Sequence, residues 1–374
     1  MSKKKNDLTD KYRPKKLSEV IGQPSVVKAF TNAFKYKTIR QAYILAGNFG
    51  TGKTTVARIV AAMENCEEKG SSSDPCGKCR NCEQIFSGDS YDVKEMDAAS
   101  KRGIDDIRSI HKELYQSPIE CKTKYVIFDE AHSLSGYAAE AALKMIEEPP
   151  PHTRFILATT DFHKLKETIR SRCIPWRFGK VNWMEILTHL KDISTKEELN
   201  VEENALRLIA RSSKGSVRDS LKNLQAAIDY CGEEEITLEN AKNALGTIDD
   251  ALYFELINSF IELDAIKSYR IINEILKDGR EAKSVMNDLF DYLTNLLLVK
   301  ACKKDLACLT LSEEEVKKYS HQGKVIKGDT LIRMMNFLHE VGDGLNKNVD
   351  PVNLFNKFFV QSLMLNKKNK NGEN

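Results

Sequence analysis

Residues 42–54, AYILAGNFGTGKT, decide the fold class of this chain. Ala42 to Ala46 form a short apolar run typical of a buried strand, and Gly47 to Thr54 match the pattern G-x-x-x-x-G-K-[ST]. An apolar helical pattern follows from Thr55 to Met63. A strand, this loop and a helix in that order are the context that a phosphate-binding loop requires, so the sequence predicts a nucleotide site.

The residue types of the loop indicate what it binds. Glycine allows backbone N–H groups to wrap around phosphates, and the start of the following helix adds the positive end of its dipole. We expect Lys53 to reach the β and γ phosphates and Thr54 to coordinate Mg²⁺. The ATP-binding residues predicted in this stretch are Gly47, Asn48, Phe49, Gly50, Thr51, Gly52, Lys53, Thr54 and Thr55.

A second motif, Tyr125 to Glu130 (YVIFDE), predicts that the bound nucleotide is hydrolysed. Buried-type residues precede the two carboxylates directly, which favours the end of a buried strand over a solvated acidic face. Asp129 can hold the water shell of Mg²⁺, and Glu130 can polarise a water against the γ-phosphate. The letters DEAH at 129–132 also occur in nucleic-acid helicases, but a helicase needs a second α/β domain, and only helical patterns follow residue 183.

Further apolar runs predict a parallel sheet covered by helices on both faces, which is an α/β fold. The additional strand candidates are Val93 to Met96 and Arg154 to Thr159, and Cys231-Gly232 and Asp343-Gly344 indicate helix ends. The predicted segments are an ATPase domain at 1–183 with a thiol-rich module at 64–84, a small helical domain at 184–246, an all-helical domain at 247–365 and a disordered polar tail at 366–374.

Composition narrows the class of protein. The 374 residues are 41% hydrophobic and 30% charged, and 57 Lys plus Arg against 54 Asp plus Glu leave a net charge of +3. The hydrophobic content excludes a disordered chain, and the small net charge excludes a protein whose whole surface is basic and binds polyanions. We expect a cytoplasmic protein, because no apolar run has the length of a membrane helix and the polar start MSKKKNDLTD lacks a secretory signal.

In a reducing cytoplasm, clustered thiols more often bind metal than form disulfides. Cys66, Cys76, Cys79 and Cys82 follow the spacing C-x9-C-x2-C-x2-C inside a polar segment. Four thiolates close a tetrahedral zinc shell without an open position for water, so the predicted zinc is structural. The alternatives are unliganded surface thiols and an iron–sulfur cluster, although nothing in the sequence calls for electron transfer.

A short basic stretch is the candidate for nucleic-acid contact. Ser100 to Asp105 (SKRGID) predicts a turn that enters a helix, with Lys101 and Arg102 beside exposed amide donors that suit a phosphate. A solvated basic turn explains the same residues equally well. If DNA is bound here, the small net charge favours contact with backbone phosphates and no sequence preference.

The order of these motifs resembles the AAA+ clamp-loader ATPases, strongly over residues 8–246 and weakly over the helical remainder. The resemblance also implies contact with DNA through the inner faces of the ATPase domains. The segments that carry it are Lys11 to Pro14, Val20 to Gln23, the GNFGTGKT loop, the four spaced cysteines, Asp97 to Ser100, the DEAH segment, Ala142 to Lys144, Glu147 to Pro150, Ala158 to Thr160, Ser171 to Cys173 and Gly215 to Asp219.

The resemblance implies further site residues. Thr160 would be the first sensor, which helps to position the attacking water, and Arg218 would be the second sensor, reaching from a helical lid formed by 184–246. Arg172 would be an arginine finger aimed at a neighbouring subunit's nucleotide. The residues implied around the adenine are Tyr12, Arg13, Val20 and Ile21.

The resemblance also implies a function. The chain would be an ATP-hydrolysing subunit of a ring-like clamp loader, with a collar domain at 247–365, that places a sliding clamp on primed DNA with other subunits. One alternative is a stator subunit without turnover, against which the intact Lys53, Thr54, Asp129 and Glu130 argue. Another is a different AAA+ DNA remodeller such as a branch-migration motor, against which the thiol insertion and Ser171 to Cys173 argue.

Overall fold

A computed structural model describes residues 7–68, 74–98, 110–134, 136–246, 250–277, 281–302 and 313–371. The chain divides into two compact units, Met1–Leu245 and Gly246–Asn374. None of the described helices combines the length and the apolar character that crossing a lipid bilayer demands.

The first unit is built on a parallel sheet whose five described strands have the order β2-β3-β4-β1-β5. Ala46 pairs with Thr159 and Phe128 pairs with Leu157, so β1, β3 and β4 end side by side. The phosphate loop and the acidic pair therefore follow neighbouring strands at one edge of the sheet. The strands are β1 (Ala42–Gly47), β2 (Val93–Asp97), β3 (Lys124–Asp129), β4 (Thr153–Thr159) and β5 (Ile174–Phe178).

Successive side chains along each strand point to opposite faces of the sheet, and both faces are apolar, as expected for a sheet covered on both sides. Tyr43 and Leu45 of β1 join one buried cluster, whereas Ile44 of the same strand joins the other. Val60 lies in the first cluster and Met145 in the second, so helices cover both faces. The predicted α/β class is confirmed.

Strand β5 is absent from the sequence prediction because its residues do not form the continuous apolar run of a buried strand. Pro175 interrupts it, and Ile174, Pro175 and Arg177 are exposed. β5 lies at the edge of the sheet beside β1. An edge strand tolerates the missing N–H of proline, which a central strand does not.

Helices complete the first unit, and the last four, α7–α10, make up the helical segment that the resemblance predicts to be a lid. Ile186, Ile209 and Leu224 are buried in the lid core, and α9 ends at Cys231 before Gly232, as predicted. Short 3₁₀ turns cover Leu17–Glu19 and Ala131–Ser133. The bounded helices are α1 (Leu8–Lys11), α2 (Pro24–Lys35), α3 (Lys53–Asn65), α4 (Arg80–Ser87), α5 (Gly136–Glu147), α6 (Glu167–Arg170), α7 (Trp183–Lys196), α8 (Glu203–Ser212), α9 (Val217–Cys231) and α10 (Leu238–Leu245).

The described part of the second unit is all-helical, as expected, but two details differ from the prediction. The break predicted at Asp343-Gly344 is wrong, because the helix Gly328–Asn346 continues through both residues. A Cβ at Gly344 would lie 2.5 Å from Leu354 Cδ2, so glycine at this position permits close helix packing. The last helix continues to Asn371, into the tail predicted to be disordered. Extending an existing helix through lysines costs little. The helices are α11 (Asp250–Glu262), α12 (Ala265–Lys277), α13 (Ala282–Cys302), α14 (Glu313–Val325), α15 (Gly328–Asn346) and α16 (Pro351–Asn371).

Candidate nucleotide site

The phosphate loop adopts a backbone that requires glycine at its turns. Gly50 and Gly52 have φ values of 67° and 96°, and Gly52 is the N-cap residue directly before α3. A Cβ at Gly47 would lie 2.3 Å from the carbonyl oxygen of Phe178, whereas one at Gly52 would meet no atom within 4 Å. The loop is thus packed against the protein at Gly47 and open at Gly52, where a phosphate group has room to approach the backbone.

Lys53 lies at the start of α3 and is 5% exposed. Its Nζ donates to the carbonyl oxygens of Gly47 and Asn48, at 2.8 and 2.9 Å. Burial lowers the pKa of Lys53, and the nearby carboxylates of Glu130 and Asp129 oppose that shift. A buried ammonium group held by loop carbonyls is suited to bind a phosphate oxygen, because the negative charge of the phosphate offsets the cost of burying the positive charge.

Thr54 and Asp129 bring two hard oxygen ligands together. The hydroxyl of Thr54 donates to Asp129 Oδ2 at 2.9 Å, and Asp129 ends strand β3 beside the phosphate loop. Hydroxyl and carboxylate oxygens are ligands that Mg²⁺ accepts. The pair therefore fits the magnesium ligation predicted for it.

Glu130 follows in a left-handed conformation, with φ of 49°. The hydroxyl of Thr160 donates to Glu130 Oε2 at 3.1 Å. A non-glycine residue in this region is uncommon and is often found at functional sites. The structure thus brings the predicted base and the predicted first sensor into direct contact.

The lid contacts the phosphate loop through the start of α9. The backbone N–H groups of Val217 and Arg218 donate to the carbonyl oxygen of Gly50, at 3.1 and 3.4 Å. Ser216 caps the helix by accepting from the N–H of Asp219 at 3.2 Å. These contacts hold the predicted second sensor, Arg218, at the rim of the cavity.

The N-terminal segment forms the third wall. Arg13 Nε donates to Thr55 Oγ1 at 3.2 Å, and the Tyr12 hydroxyl donates to Glu197 of the lid. Burial lowers the pKa of Arg13, and repulsion from Arg58 and Arg218 lowers it further. Arg13 and Arg218 both line the cavity, where a phosphate anion would offset the repulsion between them.

These three parts enclose a cavity of about 320 Å³, which lies within the range of small-molecule sites. Most of the predicted residues line it. Those are Tyr12, Arg13, Val20, Ile21, Phe49, Gly50, Thr51, Gly52, Lys53, Thr54, Thr55, Asp129, Glu130 and Arg218. Gly47, Asn48, Thr160 and Arg172 are not among the lining residues.

Sequence analysis did not single out eight lining residues, although two of them, Pro14 and Glu19, lie in the stretch from Tyr12 to Gln23 that the resemblance places around the adenine. Glu95 is one of the eight, on β2, where it forms an ion pair with Arg58 at 2.6 Å. His189 is another, on α7, and burial lowers its pKa. Neither belongs to a short motif, so only the three-dimensional fold places it here. The missed residues are Thr9, Asp10, Pro14, Glu19, Glu95, His189, Val217 and Leu221.

Arg172 lies away from the cavity, on the surface. Its guanidinium donates to the carbonyl oxygen of Thr168 at 3.0 Å and pairs with Glu147 at 2.8 Å. The side chain is 41% exposed. Arg172 is thus accessible, whereas Lys53 and Glu130 face the cavity of their own subunit.

The four predicted zinc ligands come together at the other end of α3. The Sγ atoms of Cys66, Cys76, Cys79 and Cys82 all lie within 4.8 Å of one another. The N–H of Cys76 donates to Cys66 Sγ at 3.3 Å, and the N–H of Cys79 donates to Cys76 Sγ at 3.2 Å. Although burial opposes it, several hydrogen bonds, led by that from the Cys82 N–H, together lower the pKa of Cys79 to about 7. Four clustered thiols that receive N–H donors fit a zinc ion.

The predicted DNA contacts, Lys101 and Arg102, lie outside the described residues.

Comparison with known proteins extends over both units. Family models match as follows: DNA polymerase III, delta subunit, at residues 22–182; DNA polymerase III clamp loader subunit, ATPase lid domain, at 185–233; and DNA polymerase III subunits gamma and tau domain III, at 236–356.

Curated relatives match over most of this chain. DNA polymerase III subunit gamma of Buchnera aphidicola subsp. Schizaphis graminum is 36% identical over 313 residues, which are 83% of this chain and 86% of the relative. DNA polymerase III subunit tau of Escherichia coli is 34% identical over 313 residues, which are 83% of this chain and 48% of the relative. The chain therefore spans most of the gamma relative and about half of the tau relative.

A solved structure matches the fold. A RuvB variant of Thermotoga maritima superposes with a TM-score of 0.50 and 20% identity, over 67% of this chain and 80% of the other. The phosphate loop, the acidic strand end and the lid around one cavity define an ATPase of the AAA+ class.

Within that class, the chain belongs to the DNA polymerase III gamma/tau family, and it is an ATPase subunit of the clamp loader. The predicted resemblance to the AAA+ clamp-loader ATPases is confirmed.

Proposed function

We propose that this subunit binds ATP in the described cavity, hydrolyses it there, and uses the cycle to open a sliding clamp and close it on primed DNA. The observation that carries the proposal is the convergence of four side chains at one sheet edge. Thr54 bonds to Asp129, and Thr160 bonds to Glu130, which follows Asp129 directly. The predicted metal ligands and base thus line the cavity in which the phosphate loop would hold the γ-phosphate, and the predicted sensor contacts the base.

Each cavity wall has a role in this mechanism. The ammonium group of Lys53 would leave the loop carbonyls and bind the β and γ phosphates. Glu130 would accept a proton from the attacking water, with Thr160 orienting its carboxylate. Thr54 and Asp129 would hold Mg²⁺, which neutralises charge on the phosphates. Tyr12, Arg13, Val20 and Ile21 would enclose the adenine.

Two arginines would sense the γ-phosphate from different subunits. Arg218, held by the bond between its backbone and Gly50, would respond to it from the lid of the same subunit. Arg172 would act on a neighbour's nucleotide, because its guanidinium is exposed and does not line its own cavity. This assignment requires a ring-like oligomer with other clamp-loader subunits.

The thiol cluster supports a structural zinc. Four protein ligands leave no open position, so the ion would fold the polar segment between α3 and α4 rather than take part in the reaction. We also propose that Lys101 and Arg102 contact DNA phosphates without sequence preference, and that the loader works in the cytoplasm. The proposed functional segments are 1–183 for the ATPase domain, 184–246 for the lid and 247–365 for the collar.

The other functions are less well supported. A stator subunit would not need Lys53, Thr54, Asp129 and Glu130 in contact range of one cavity. A branch-migration motor shares the fold, but the lid and the second unit match clamp-loader models.

The deciding experiment measures ATP hydrolysis by the assembled loader that contains this chain, with and without the sliding clamp and primed DNA. We expect primed DNA and clamp together to stimulate hydrolysis, and Lys53→Ala in this chain to reduce the stimulated rate. A rate that neither the clamp and DNA nor Lys53→Ala changes would contradict the proposal.

A further inference from the structure

His132 contacts the proposed base but has no role in the mechanism above. Its Nδ1 lies 3.4 Å from Glu130 Oε2 and 3.0 Å from the Thr159 hydroxyl oxygen. We propose that His132, itself fixed by Thr159, is a positioning residue that holds the carboxylate of Glu130 for proton transfer. This inference rests on the proposed role of Glu130 in hydrolysis.

The hydrogen bonds of Thr159 determine which atom carries the hydrogen. The Thr159 hydroxyl donates its single hydrogen to the carbonyl oxygen of Asp161 at 3.1 Å and accepts from the Asp161 N–H at 3.1 Å. The Thr159 oxygen can therefore only accept from His132. We therefore assign a hydrogen to His132 Nδ1, and that N–H also presents its positive end to Glu130.

The two contacts of Glu130 meet at the same oxygen. Thr160 donates to Oε2 at 3.1 Å, and His132 Nδ1 faces Oε2 at 3.4 Å. Because 3.4 Å is long for a hydrogen bond, the His132 contact is mainly electrostatic, and the shorter bond to Thr159 fixes the ring. Among the described residues no donor to Oε1 is present, which leaves that oxygen for the attacking water.

The local backbone also restricts where the ring can lie. His132 is the middle residue of the 3₁₀ turn Ala131–Ser133, and the N–H of Ser133 donates to the Glu130 carbonyl oxygen at 2.8 Å. Ala131 is buried, and Thr159 is fully buried in β4. Histidine and glutamate are thus held on one tight turn against a strand that also carries Thr160.

The test compares two substitutions of similar size in the assembled loader. His132→Asn keeps an N–H donor near the position of Nδ1, whereas His132→Leu removes it. We expect His132→Leu to lower kcat about 10- to 100-fold, the size of effect that misplacing a reacting group produces. We expect His132→Asn to stay within about threefold of the parent, and both variants to bind ATP with unchanged affinity.

Supporting variants separate positioning from packing. Thr159→Val should lower kcat as His132→Leu does, and Thr159→Ser should retain it. In a Glu130→Gln background, His132→Leu should cause no further loss, because the carboxylate it positions is absent.

Three results would overturn the inference. They are parental kcat for His132→Leu, an equal loss of kcat for His132→Asn and His132→Leu, and a further loss in the Glu130→Gln background. Normal turnover by Glu130→Gln alone would instead contradict the proposed function, so the two failures are distinguishable.

Discussion

The two ends of helix α3 serve different purposes. At its N-terminus, Lys53 and Thr54 face an open cavity whose walls come from residues as distant in sequence as Thr9 and Leu221. At its C-terminus, Cys66 joins a compact group of thiols that all lie within residues 66–82. One end is open and assembled from distant segments, and the other is closed and local.

This difference between the two ends of α3 predicts whether a substitution there changes the reaction or the stability of the protein. An open site at a helix N-terminus can bind and release an anionic ligand without loss of the fold. The segments that line it are held in place by their own hydrophobic cores. A metal shell that is closed by four ligands holds a segment with little apolar core, so metal and local fold depend on each other. Substitutions at the N-terminus should change chemistry, and substitutions at the C-terminus should change stability.

The largest effect on ATP binding is expected at Lys53. Lys53→Ala removes charge-assisted bonds to two phosphates, each worth about 1.5–3 kcal/mol, so ATP affinity should fall about 100-fold or more. The zinc content and the melting temperature should stay at parental values. Equilibrium ATP binding and metal analysis check both, with Lys28→Ala on α2 as an exposed lysine control. ATP affinity within a few-fold of the parent would show that the cavity is wrongly assigned.

The next effect is expected at Arg172, which tests whether the open site is completed by a neighbour. Arg172→Ala should bind ATP normally but hydrolyse it about 10³- to 10⁵-fold more slowly in the assembled loader, because the arginine finger is lost. Steady-state hydrolysis measures this. Arg207→Ala is the matched control, since Arg207 is similarly exposed and also pairs with a glutamate.

Mixing variants decides between action in trans and in cis. Rings that contain both Lys53→Ala and Arg172→Ala subunits place some intact cavities beside intact arginines, so part of the activity should return. Mixed rings as inactive as either variant alone would contradict a shared site.

At the thiol end, we expect one zinc per chain. Replacing Cys79 and Cys82 with serine should remove it and lower the melting temperature, since structural zinc sites contribute on the order of 10 kcal/mol to the fold they hold. Elemental analysis and thermal unfolding measure the two effects. Cys231→Ser, which changes a buried thiol outside the cluster, should retain the zinc. Parent protein without zinc after metal-replete, reducing purification would refute the metal site.

The smallest effect concerns DNA. Replacing Lys101 and Arg102 with alanine should weaken duplex binding equally for unrelated sequences and reduce the salt slope by about 2, because each alanine abolishes one phosphate interaction. Binding titrations at several salt concentrations measure the slope. Alanine at Lys37 and Arg40 removes the same charge from another stretch of the chain. A slope that changes equally in this control would contradict a specific contact at 101–102.

The same contrast explains what the sequence could predict. The four thiols were predicted in full because their spacing is short and zinc chemistry dictates it. The loop and the acidic strand were predicted because each is a contiguous motif. Glu95 and His189 were missed because distant strands and helices bring them to the cavity. Strand β5 was missed because only its edge position makes Pro175 acceptable.

The most direct test of the proposed mechanism is Glu130→Gln, measured for ATP binding and for hydrolysis in the same assembled loader. The substitution keeps the shape of the side chain and the oxygen that accepts from Thr160, but it removes the base. We predict ATP affinity within about threefold of the parent and a kcat about 10²- to 10⁴-fold lower, with Glu148→Gln unchanged in both. Parental turnover by Glu130→Gln would contradict hydrolysis by this residue in this cavity.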